Sequence, residues 1–504
     1  MNHLIGIDLG TQGTKAVLQD ENGCVLSEAF EASRLIHPEA GAVEQDPEEM
    51  LGSVLHCLRE LTDKTGIPAG SVGGICLSGQ MAGIMGVDRA GQAVIPYDSW
   101  LDTRCGSCRE EILAQGEEAI ISLTGAPVTY AHGPKIMWWK SRRPEAYQRI
   151  YKFVQPAAYV AMRLCGLPGD DAFIDHTYLH FSGFAETAKK RWSTDLLAAL
   201  GVAEEKMPRI VKPYDRVGGL TQEISGQCGL AAGTVVVAGC GDTAASILGG
   251  GVTRSGLLLD VAGTAAVLAC GADTFAPDVK HKTIMFPNSV LDGLFTPMAY
   301  INGGGMCLKW FRDDVLGGQM SYENLDQEAA AVPAGSEDLI FMPHFSGRVC
   351  PNDTLVRGSW INLGWKHGRG HLYRSILEGI AYEYGVYQDI IHELAPDLSF
   401  EHVTTVGGGS RSKLFSQIKA DVLDTRISAI NRVDSSLLAC CNLAGFGAGL
   451  YQTPFSLIEK CSHPEWTLSP DRQRHAFYGP RKQVYAGIFP ALHATYHQLQ
   501  QLPT

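Results

Sequence analysis

A turn near the start of the sequence combines a carboxylate with glycine and hydroxyl side chains. Asp8 ends an apolar stretch, and Gly10, Thr11 and Gly13 follow it. Because glycine has no side chain, the main chain at such a turn can approach a ligand and direct its N–H groups at phosphate oxygens. Thr11 and Thr14 add hydroxyl donors, and Asp8 is a suitable ligand for a hydrated Mg²⁺ that bridges phosphates. An ordinary tight hairpin has the same composition, so the turn alone leaves both interpretations open.

A second segment, Thr234–Ser246, reads TVVVAGCGDTAAS. An apolar strand leads into glycines and then into small residues typical of a helix start, which puts Asp242 at the amino end of a helix. The helix dipole favours the ionised carboxylate there, and an accessible carboxylate can take a proton from a substrate hydroxyl as a general base. A helix-capping aspartate without a catalytic role is the alternative.

The same segment fits the dinucleotide-binding pattern G-x-G-x-x-A over residues 239–244, with Asp260 at a suitable distance to bind a ribose. This pattern predicts an NAD(P)-dependent oxidoreductase. Two features argue against it. Asp242 would place a negative charge beside the pyrophosphate, and the Asp8 turn would have no function. The oxidoreductase is therefore kept only as an alternative.

Two glycine triplets, Gly303–Gly305 and Gly407–Gly409, each precede a helical pattern. A helix start opened by glycine can receive a phosphate group or let a flat base lie against the main chain. Close packing of a helix on a strand needs the same small residues, so each triplet also has a purely structural interpretation.

Alternating apolar residues and turn sequences predict the elements that position the first turn. Three strands joined by two hairpins precede a helix that starts at Asp46 and Pro47 and ends at Gly66, and a fourth strand follows. This order is that of a ribonuclease-H-like unit. The predicted strands are Leu4–Asp8, Thr14–Gln19, Cys24–Phe30 and Gly74–Ser78.

The second half of the sequence repeats this beginning. Leu257–Cys270 reads LLLDVAGTAAVLAC, and aligning Gly263–Thr264 with Gly10–Thr11 places apolar strands on both sides of each turn. Asp8 then corresponds to Val261, so only the first copy carries the carboxylate.

The chain has 504 residues, which is more than one hydrophobic core usually serves. Together with the internal repeat, this length predicts two domains, residues 1–246 and 247–504. Strand, glycine-rich turn and helix also follow one another downstream, which indicates an α/β fold. The elements predicted there are the helix His371–Leu394, the strand His402–Gly409, and the helices Ser410–Leu423 and Ser435–Tyr451.

Composition excludes several classes of protein. The 45% apolar and 19% charged residues are ordinary for a globular chain, and a net charge of −13 argues against non-specific nucleic-acid binding. The sequence shows no basic leader and no uncharged run long enough for a membrane span. The 14 cysteines are therefore expected to be reduced thiols in the cytoplasm.

Taken together, the chain resembles the FGGY carbohydrate kinases, and within them the xylulokinase branch. The resemblance runs from Ile5 to about Tyr451, with its segments in the family's order. The segments that carry it are GIDLGTQGTKA, VEQDPEEM, LSGQM, SWLDTR, PKIMWW, AGCGDTAAS, VAGTAAV, GGGMCLKWFRD, RGSWINL with HLYRSILEGIA, and TVGGGSRSKLFSQIKADVL.

This resemblance implies two actin-like, ribonuclease-H-like domains with a catalytic cleft between them. It implies transfer of the γ-phosphoryl group of ATP to a primary hydroxyl of a small sugar, with Mg²⁺ as cofactor. The first domain would bind the sugar and supply the base, and the second would bind the nucleotide. The expected partner is a small sugar or polyol, with no nucleic acid and no membrane, and a homodimer is left open.

The resemblance also assigns roles to individual positions. Asp242 would be the catalytic base, and Asp8 and Asp242 would lie at the metal. The expected ATP contacts are Thr11, Gly263, Thr264, Gly305, Gly408, Gly409 and Ser412, and the expected sugar contacts are Gln80, Met81, Ala82, Asp102, Tyr130 and Asp242.

Four positions depart from the family pattern. Ala82 stands where xylulokinases typically carry histidine, which removes a donor to a sugar hydroxyl, and Leu101 replaces the usual asparagine before Asp102, also close to the sugar. His132 replaces a small residue or proline, and Asn362 replaces a glycine in a local turn. The nucleotide and base positions match. The resemblance implies a ketopentose such as xylulose as the substrate, and the departures leave glycerol, ribulose or another polyol as alternatives.

Overall fold

A computed structural model describes residues 3–430 and 434–502 of the chain. The strands, numbered in chain order, are β1 His3–Leu9, β2 Gly13–Asp20, β3 Val25–Ala32, β4 Glu44–Gln45, β5 Val72–Gly79, β6 Met85–Val87, β7 Tyr97–Asp98, β8 Lys152–Val154, β9 Phe173–Asp175, β10 Ala185–Glu186, β11 Arg191–Trp192, β12 Arg209–Val211, β13 Arg216–Gly219, β14 Val235–Val237, β15 Cys240–Gly241, β16 Leu257–Ala262, β17 Ala266–Cys270, β18 Met298–Ile301, β19 Ile340–Met342, β20 Ser359–Ile361, β21 His402–Val406, β22 Arg426–Ala429 and β23 Trp466–Leu468.

The α-helices connect and cover these strands. They are α1 Pro47–Thr65, α2 Gly106–Leu113, α3 Glu117–Thr124, α4 His132–Arg142, α5 Pro144–Arg149, α6 Pro156–Cys165, α7 Thr194–Ala199, α8 Gln222–Cys228, α9 Asp242–Gly249, α10 Gly304–Trp310, α11 Tyr322–Ala331, α12 Arg369–Leu394, α13 Lys413–Leu423, α14 Ser435–Gly447, α15 Ser456–Cys461 and α16 Arg472–Gln500.

The chain forms two compact units. The first consists of Met1–Thr253, Phe286–Phe295 and Asp434–Ser462, and the second of Arg254–Met285, Thr296–Val433 and His463–Thr504. The sequence suggested one division after residue 246. The structure differs because two later segments pack into the first unit, and one of them contains the apolar helix α14.

The first unit contains a mixed sheet in the order β13-β14-β5-β1-β2-β3, with β15 also paired to β5. β1, β2 and β3 form an antiparallel meander, and β5 runs parallel to β1. The predicted helix is present as α1: the carboxylate of Asp46 accepts a hydrogen bond from the Glu48 N–H, and Gly66 ends the helix in the left-handed conformation. The three-strand meander, the helix and the returning strand were therefore predicted correctly.

The second unit contains a sheet in the order β18-β17-β16-β21-β22-β23. Its antiparallel meander β16–β18 and the parallel strands β21 and β22 repeat the arrangement of the first unit. The repeat predicted from Leu257–Cys270 is confirmed, because β16 and β17 form a hairpin equivalent to β1 and β2. Asp8 and Val261 each occupy the next-to-last position of the first strand.

Helix α14 packs directly on the sheet of the first unit, and this contact depends on glycine. A Cβ atom at Gly6 would lie 2.5 Å from the main-chain oxygen of Leu437, and one at Gly74 would lie 2.7 Å from that of Ala444. Cys440 and Cys441 are fully buried in this contact. They fill the space between helix and sheet as small apolar side chains.

In the part of the chain that the structure describes, no helix is both long and apolar enough to span a membrane.

A buried ion pair lies in the core of the second unit. The ammonium of Lys419 lies 2.5 Å from a carboxylate oxygen of Asp260, and both side chains are 1% exposed. Thr405 and Tyr384 donate hydrogen bonds to the same carboxylate. Buried charges of this kind are stable only while every partner is present.

We expect Lys419→Met to destabilise the second unit by about 3–5 kcal/mol, because it leaves a buried carboxylate without its counter-ion. Thermal unfolding of the full chain, followed by calorimetry, measures the loss. The double variant Lys419→Met/Asp260→Asn removes both charges and should recover part of it. Equal loss in the single and double variants would contradict this account.

Candidate active site

The turn between β1 and β2 brings a carboxylate to the edge of the first sheet. The N–H of Gly10 donates to the carbonyl of Gly13 at 3.0 Å and closes the turn. Asp8 lies opposite Ser78 across the β1–β5 pair, and the Ser78 hydroxyl donates to its carboxylate at 2.6 Å. Burial raises the pKa of Asp8 against the effect of this hydrogen bond, and the charge of Asp434 raises it further.

Thr11 and Gln80, predicted to bind different substrates, contact each other. The Thr11 hydroxyl donates to the Gln80 side-chain oxygen at 3.0 Å and accepts from the indole N–H of Trp100 at 2.9 Å. The Gln80 amide in turn donates to Gln45 at 2.8 Å. The hydroxyl of Thr11 is therefore engaged within the protein, and its contact with ATP stays a prediction.

The other hydroxyl expected in this turn lies elsewhere. Thr14 is buried, and its Oγ1 lies 2.6 Å from Oγ of Ser53 on α1. Successive side chains of a strand point to opposite faces. Thr14 therefore faces the core beneath α1, and it supplies no donor to a ligand at the turn.

Asp242 is the first residue of α9, directly after β15. Its carboxylate accepts hydrogen bonds from the N–H of Thr243 at 2.5 Å and from the Thr243 hydroxyl at 3.1 Å. Burial raises its pKa to about 7, and the nearby negative charge of Asp8 contributes to the shift. The charge of Asp8 thus acts on Asp242, and a metal ion held by both carboxylates stays a prediction.

The two carboxylates share a feature that suits a divalent cation. Among the ion pairs of residues 3–430 and 434–502, neither Asp8 nor Asp242 has a lysine, arginine or histidine partner. The charge of Asp8 disfavours the ionised form of Asp242, and an oxygen-ligated cation such as Mg²⁺ relieves that repulsion. The donor set therefore fits the expected metal.

Met81 lies beside the residue that precedes Asp242. A Cβ atom at Gly241 would lie 2.5 Å from Sδ of Met81, so the methionine side chain covers the main chain just before the aspartate. Ala82 follows Met81 and has a φ of 62°, in the left-handed region that residues other than glycine seldom adopt. The contact of both residues with a sugar stays a prediction.

Sequence reasoning missed Tyr97, a buried tyrosine in this neighbourhood. Its ring packs against Gly83, where a Cβ atom would lie 2.2 Å from the hydroxyl. The hydroxyl has no hydrogen-bond partner among the described residues. Burial raises the pKa of Tyr97, as do the charges of Asp242 and Asp98. A lone tyrosine in a short strand gives no sequence signal, so only the packing reveals it.

His132 is a second buried polar group without a partner. Its Nε2 atom has no hydrogen bond to any described residue, and its ring lies 6.0 Å from that of Tyr178. Burial lowers its pKa well below the usual range, so the ring is neutral. The sequence identified His132 only as a departure from the family pattern.

Asp102 belongs to a buried ionic network rather than to an open surface. Its carboxylate accepts from the N–H of Val43 at 3.0 Å and from Nε of Arg104 at 2.9 Å. Arg104 also donates to Asp98 at 3.1 Å, and burial raises the pKa of Asp98 to about 7 despite this pair. The network fixes the loop after β7, and a sugar contact by Asp102 stays a prediction.

Tyr130 lies at the edge of the same network. Its carbonyl and that of Asp102 both accept hydrogen bonds from the buried ammonium of Lys135. Lys135 therefore ties together two of the segments expected to hold the sugar.

The second unit contains a cavity of about 500 Å³. It is lined by all six residues of this unit that were expected to contact ATP: Gly263, Thr264, Gly305, Gly408, Gly409 and Ser412. These positions come from three segments that are far apart in the sequence. Their convergence on one cavity is a result that the sequence could not give.

Close main-chain packing forms the base of this cavity. A Cβ atom at Gly305 would lie 2.0 Å from the carbonyl oxygen of Gly263, and one at Gly409 would lie 2.8 Å from Cβ of Ala262. Ser412 caps α13 by accepting a hydrogen bond from the Phe415 N–H at 3.0 Å. Gly305 and Gly409 therefore pack tightly, as the structural interpretation predicts, and they also line the cavity; ligand binding by the glycine triplets stays a prediction.

Several cavity residues had no sequence signal. Tyr322 and Asp326 come from α11, Tyr373 from α12, and Arg411 precedes Ser412. One carboxylate oxygen of Asp326 is buried without a hydrogen-bond partner among the described residues, and burial raises its pKa. These side chains supply aromatic surface and polar groups to a ligand, but nothing in their local sequence distinguishes them from ordinary helix residues.

The oxidoreductase alternative is not supported. Asp260, the expected ribose ligand, is buried in its ion pair with Lys419 and belongs to the second unit, whereas residues 239–244 belong to the first. The strand that follows α9 is β16, which lies in a different sheet from β14. A dinucleotide-binding βαβ unit is therefore absent at this segment.

Comparison with known proteins agrees with this geometry. The model of the N-terminal domain of the FGGY family of carbohydrate kinases matches residues 3–249, and the model of its C-terminal domain matches residues 259–446. The chain is 29% identical to a xylulose kinase of Bacillus subtilis (strain 168), over 97% of each protein. It is 28% identical to a xylulose kinase of Lactococcus lactis subsp. lactis (strain IL1403), over 99% of each.

Solved structures extend this likeness to the whole fold. A "xyloylose kinase" from Brucella ovis matches with a TM-score of 0.88 and 27% identity, over 98% of this chain and 100% of the other. A xylulose kinase from Rhodospirillum rubrum matches with a TM-score of 0.87 and 25% identity, over the same shares. The predicted fold class and the predicted resemblance are thereby confirmed. The two family matches together span residues 3–249 and 259–446, which is most of the chain, and the chain belongs to the FGGY family of carbohydrate kinases.

Proposed function

We propose that this carbohydrate kinase transfers the γ-phosphoryl group of ATP to a primary hydroxyl of a ketopentose, with xylulose as its substrate. The similar proteins from Bacillus subtilis and Lactococcus lactis, both named xylulose kinase, support this substrate. A gluconokinase of Bacillus subtilis is also similar, at 26% identity over 90% of the chain. The sugar is therefore the part of the proposal that most needs a direct measurement.

One observation above all supports the nucleotide part of the proposal: six residues from three separate segments of the chain line the cavity of the second unit. We propose that ATP binds there. The exposed hydroxyl of Thr264 and the N-terminal end of α13 at Ser412 can donate hydrogen bonds to phosphate oxygens. Tyr322 and Tyr373 add aromatic surface for a flat base.

We propose that Asp8 and Asp242 hold Mg²⁺ when it is bound. Two observations support this assignment: neither carboxylate forms an ion pair with a lysine, arginine or histidine among the described residues, and the charge of Asp8 raises the pKa of Asp242. The ion would neutralise charge that develops on the phosphate groups. Thr11 would contribute through its main-chain N–H, because its hydroxyl already donates to Gln80.

Asp242 is proposed as the general base. Its carboxylate accepts the proton of the sugar hydroxyl as that oxygen forms its bond to the γ-phosphorus and the bond to ADP breaks. The hydrogen bonds from Thr243 hold one carboxylate oxygen, and this fixes the side chain at the start of α9. A raised pKa makes the carboxylate a better proton acceptor.

The sugar would lie against the residues around Asp242. Met81 and Ala82 would form one side of the sugar site. The other expected sugar contacts belong to hydrogen-bonded segments: Gln80, Asp102 and Tyr130. The unpaired hydroxyl of Tyr97 adds a polar group that a sugar hydroxyl can satisfy. The reaction consumes ATP, which supports a cytoplasmic location, and a homodimer stays a prediction.

The role of Asp242 predicts that Asp242→Asn lowers kcat by about 10²–10⁴-fold, because the amide cannot accept the proton. Coupled detection of ADP release measures the rate, and fluorescence titration measures ATP binding, which should change little. Asp46→Asn is the matched control, because it alters another aspartate at a helix start and keeps the cap. Near-normal turnover by the Asp242 variant would refute the base assignment.

The nucleotide cavity predicts an effect of Gly408→Leu. A Cβ atom at Gly408 meets no other atom within 4 Å, so the leucine should extend into the cavity without disturbing the fold. Overfilling a site costs about 1–3 kcal/mol, so KM for ATP should rise about 5- to 150-fold.

Gly364→Leu controls for the substitution itself, because Gly364 is equally open and does not line the cavity. An unchanged KM for ATP in Gly408→Leu, with the protein folded, would exclude this cavity as the nucleotide site.

The proposed substrate predicts the order of activities in a panel. Xylulose should give the highest kcat/KM among ketopentoses, glycerol, other polyols and gluconate, measured as sugar-dependent ADP release. Incubation without sugar gives the background of ATP hydrolysis. A higher kcat/KM for gluconate or glycerol would replace xylulose as the substrate and leave the kinase assignment intact.

A further inference from the structure

Three metal-ligating side chains converge on the surface of the second unit, outside the cavity described above. His493 and His497 belong to α16, and Asp353 belongs to the segment between β19 and β20. One nitrogen of each histidine and one oxygen of Asp353 lie within 4.8 Å of one another. The kinase reaction makes no use of these residues.

The spacing of the two histidines explains why their rings face the same point. Residues four apart lie on one face of a helix, so His493 and His497 project side by side. Their ring centroids are 4.2 Å apart. The Nε2 atoms lie 3.0 Å and 2.9 Å from the same oxygen, Oδ2 of Asp353. Two histidines at this spacing on a helix are a known way to bind zinc.

Asp353 is held rigidly in position for this contact. Its N–H and carbonyl pair with the main chain of Arg348, and its Oδ1 atom accepts from the N–H of Leu355 at 2.9 Å. Oδ2 is thereby directed towards the two imidazoles. The Asp353 side chain is 8% exposed, whereas those of His493 and His497 are 49% and 35% exposed. An ion can therefore reach the site from solvent.

The surrounding contacts fix the helix against the Asp353 segment. The guanidinium of Arg348 lies 4.4 Å from the ring centre of Phe489 on α16, and it donates to Glu383 at 3.0 Å. Tyr485 on α16 donates to the other oxygen of Glu383 at 2.6 Å. The three ligating groups are thus carried by elements that already pack together, which limits the entropy lost on binding a metal.

We propose that Asp353, His493 and His497 form a zinc-binding site that joins α16 to the segment between β19 and β20. Two imidazoles and one carboxylate suit Zn²⁺, which binds nitrogen at about 2.0–2.1 Å and carboxylate oxygen at about 2.0–2.2 Å. Small rotations of the three side chains bring their donor atoms to such distances from a common point. Water completes the fourth position on the exposed side. The competing interpretation is a pair of ordinary histidine–aspartate hydrogen bonds.

Metal analysis separates these interpretations. The full-length protein without an affinity tag is dialysed against Zn²⁺ with a non-chelating reductant, which keeps its cysteines as thiols. Bound zinc is then measured by mass spectrometry. We expect the wild type to retain one more equivalent than His493→Gln/His497→Gln. Glutamine keeps a hydrogen-bond donor near Asp353 and removes the imidazole.

His56→Gln is the matched control. His56 also lies on a helix, with Glu31 at 3.4 Å and Glu60 at 3.8 Å, but it is a single imidazole. This variant should retain as much zinc as the wild type. Equal zinc in the wild type and the double variant would overturn the proposal, and so would the same loss in His56→Gln.

Two further measurements test the geometry and the structural role. Co²⁺ bound to the wild type should show the visible bands of a tetrahedral nitrogen–oxygen site without thiolate charge transfer, and the double variant should lack them. Asp353→Asn should weaken Co²⁺ binding by at least about 10–100-fold, which is what the loss of a residue that only hydrogen-bonds a metal ligand already costs. Zn²⁺ should raise the unfolding temperature of the wild type alone, and a shift that persists in the double variant would contradict the proposed role.

Discussion

The parallel pairing of β1 and β15 with β5 is the constraint on which the candidate site depends. Asp8 lies opposite Ser78 in one pair, and Cys240 lies opposite the same serine in the other. Because all three strands run in the same direction, their carboxyl ends meet at one edge of the sheet. Asp242 follows two residues after Cys240, so this register brings the two carboxylates together although 233 positions separate them in the chain.

Bringing two carboxylates together in a partly buried place costs electrostatic free energy. Burial raises the pKa of both carboxylates, the charge of Asp8 raises that of Asp242 further, and neither forms an ion pair with a lysine, arginine or histidine among the described residues. In the second unit the equivalent position is Val261, and the nearby Asp260 is neutralised by Lys419. The two related sheets thus differ in whether their buried carboxylates have a cationic partner. In the first, the two carboxylates have no ion pair with a lysine, arginine or histidine among the described residues, and in the second the carboxylate is neutralised by Lys419.

Glycine has the same physical role in both units, because it lets main chains approach where a side chain would prevent contact. Gly6 and Gly74 admit α14 to the first sheet, and Gly305 admits its segment to Gly263 in the second. The sequence predicted that the glycine triplets were important, but a triplet alone could not tell packing from ligand binding. The structure shows the packing directly, and this packing brings Gly305, Gly408 and Gly409 to one cavity, where ligand binding stays a prediction.

The sequence by itself determined the local elements and their order. Turn residues, helix caps and apolar periodicity identified the meander β1–β3, helix α1 and the repeat at β16–β17, because each of these signals acts over a few residues. The motifs also identified the family. The division of the chain into two units does not follow from local signals. Phe286–Phe295 and Asp434–Ser462 return to the first unit and bury apolar surface there, and no neighbouring residue indicates this return.

Only the tertiary structure decided which side chains share a site and which are already engaged. Thr14 was expected at the turn and lies in the core, because strand alternation and the position of α1 set its direction. Tyr97 and Asp326 had no usable sequence signal, and the spacing of His493 and His497 gave no indication of their contact with Asp353. Their significance comes from burial without a partner or from convergence across long separations. Both depend on the packing of the whole chain, and for that reason neither could be inferred from the spacing of residues.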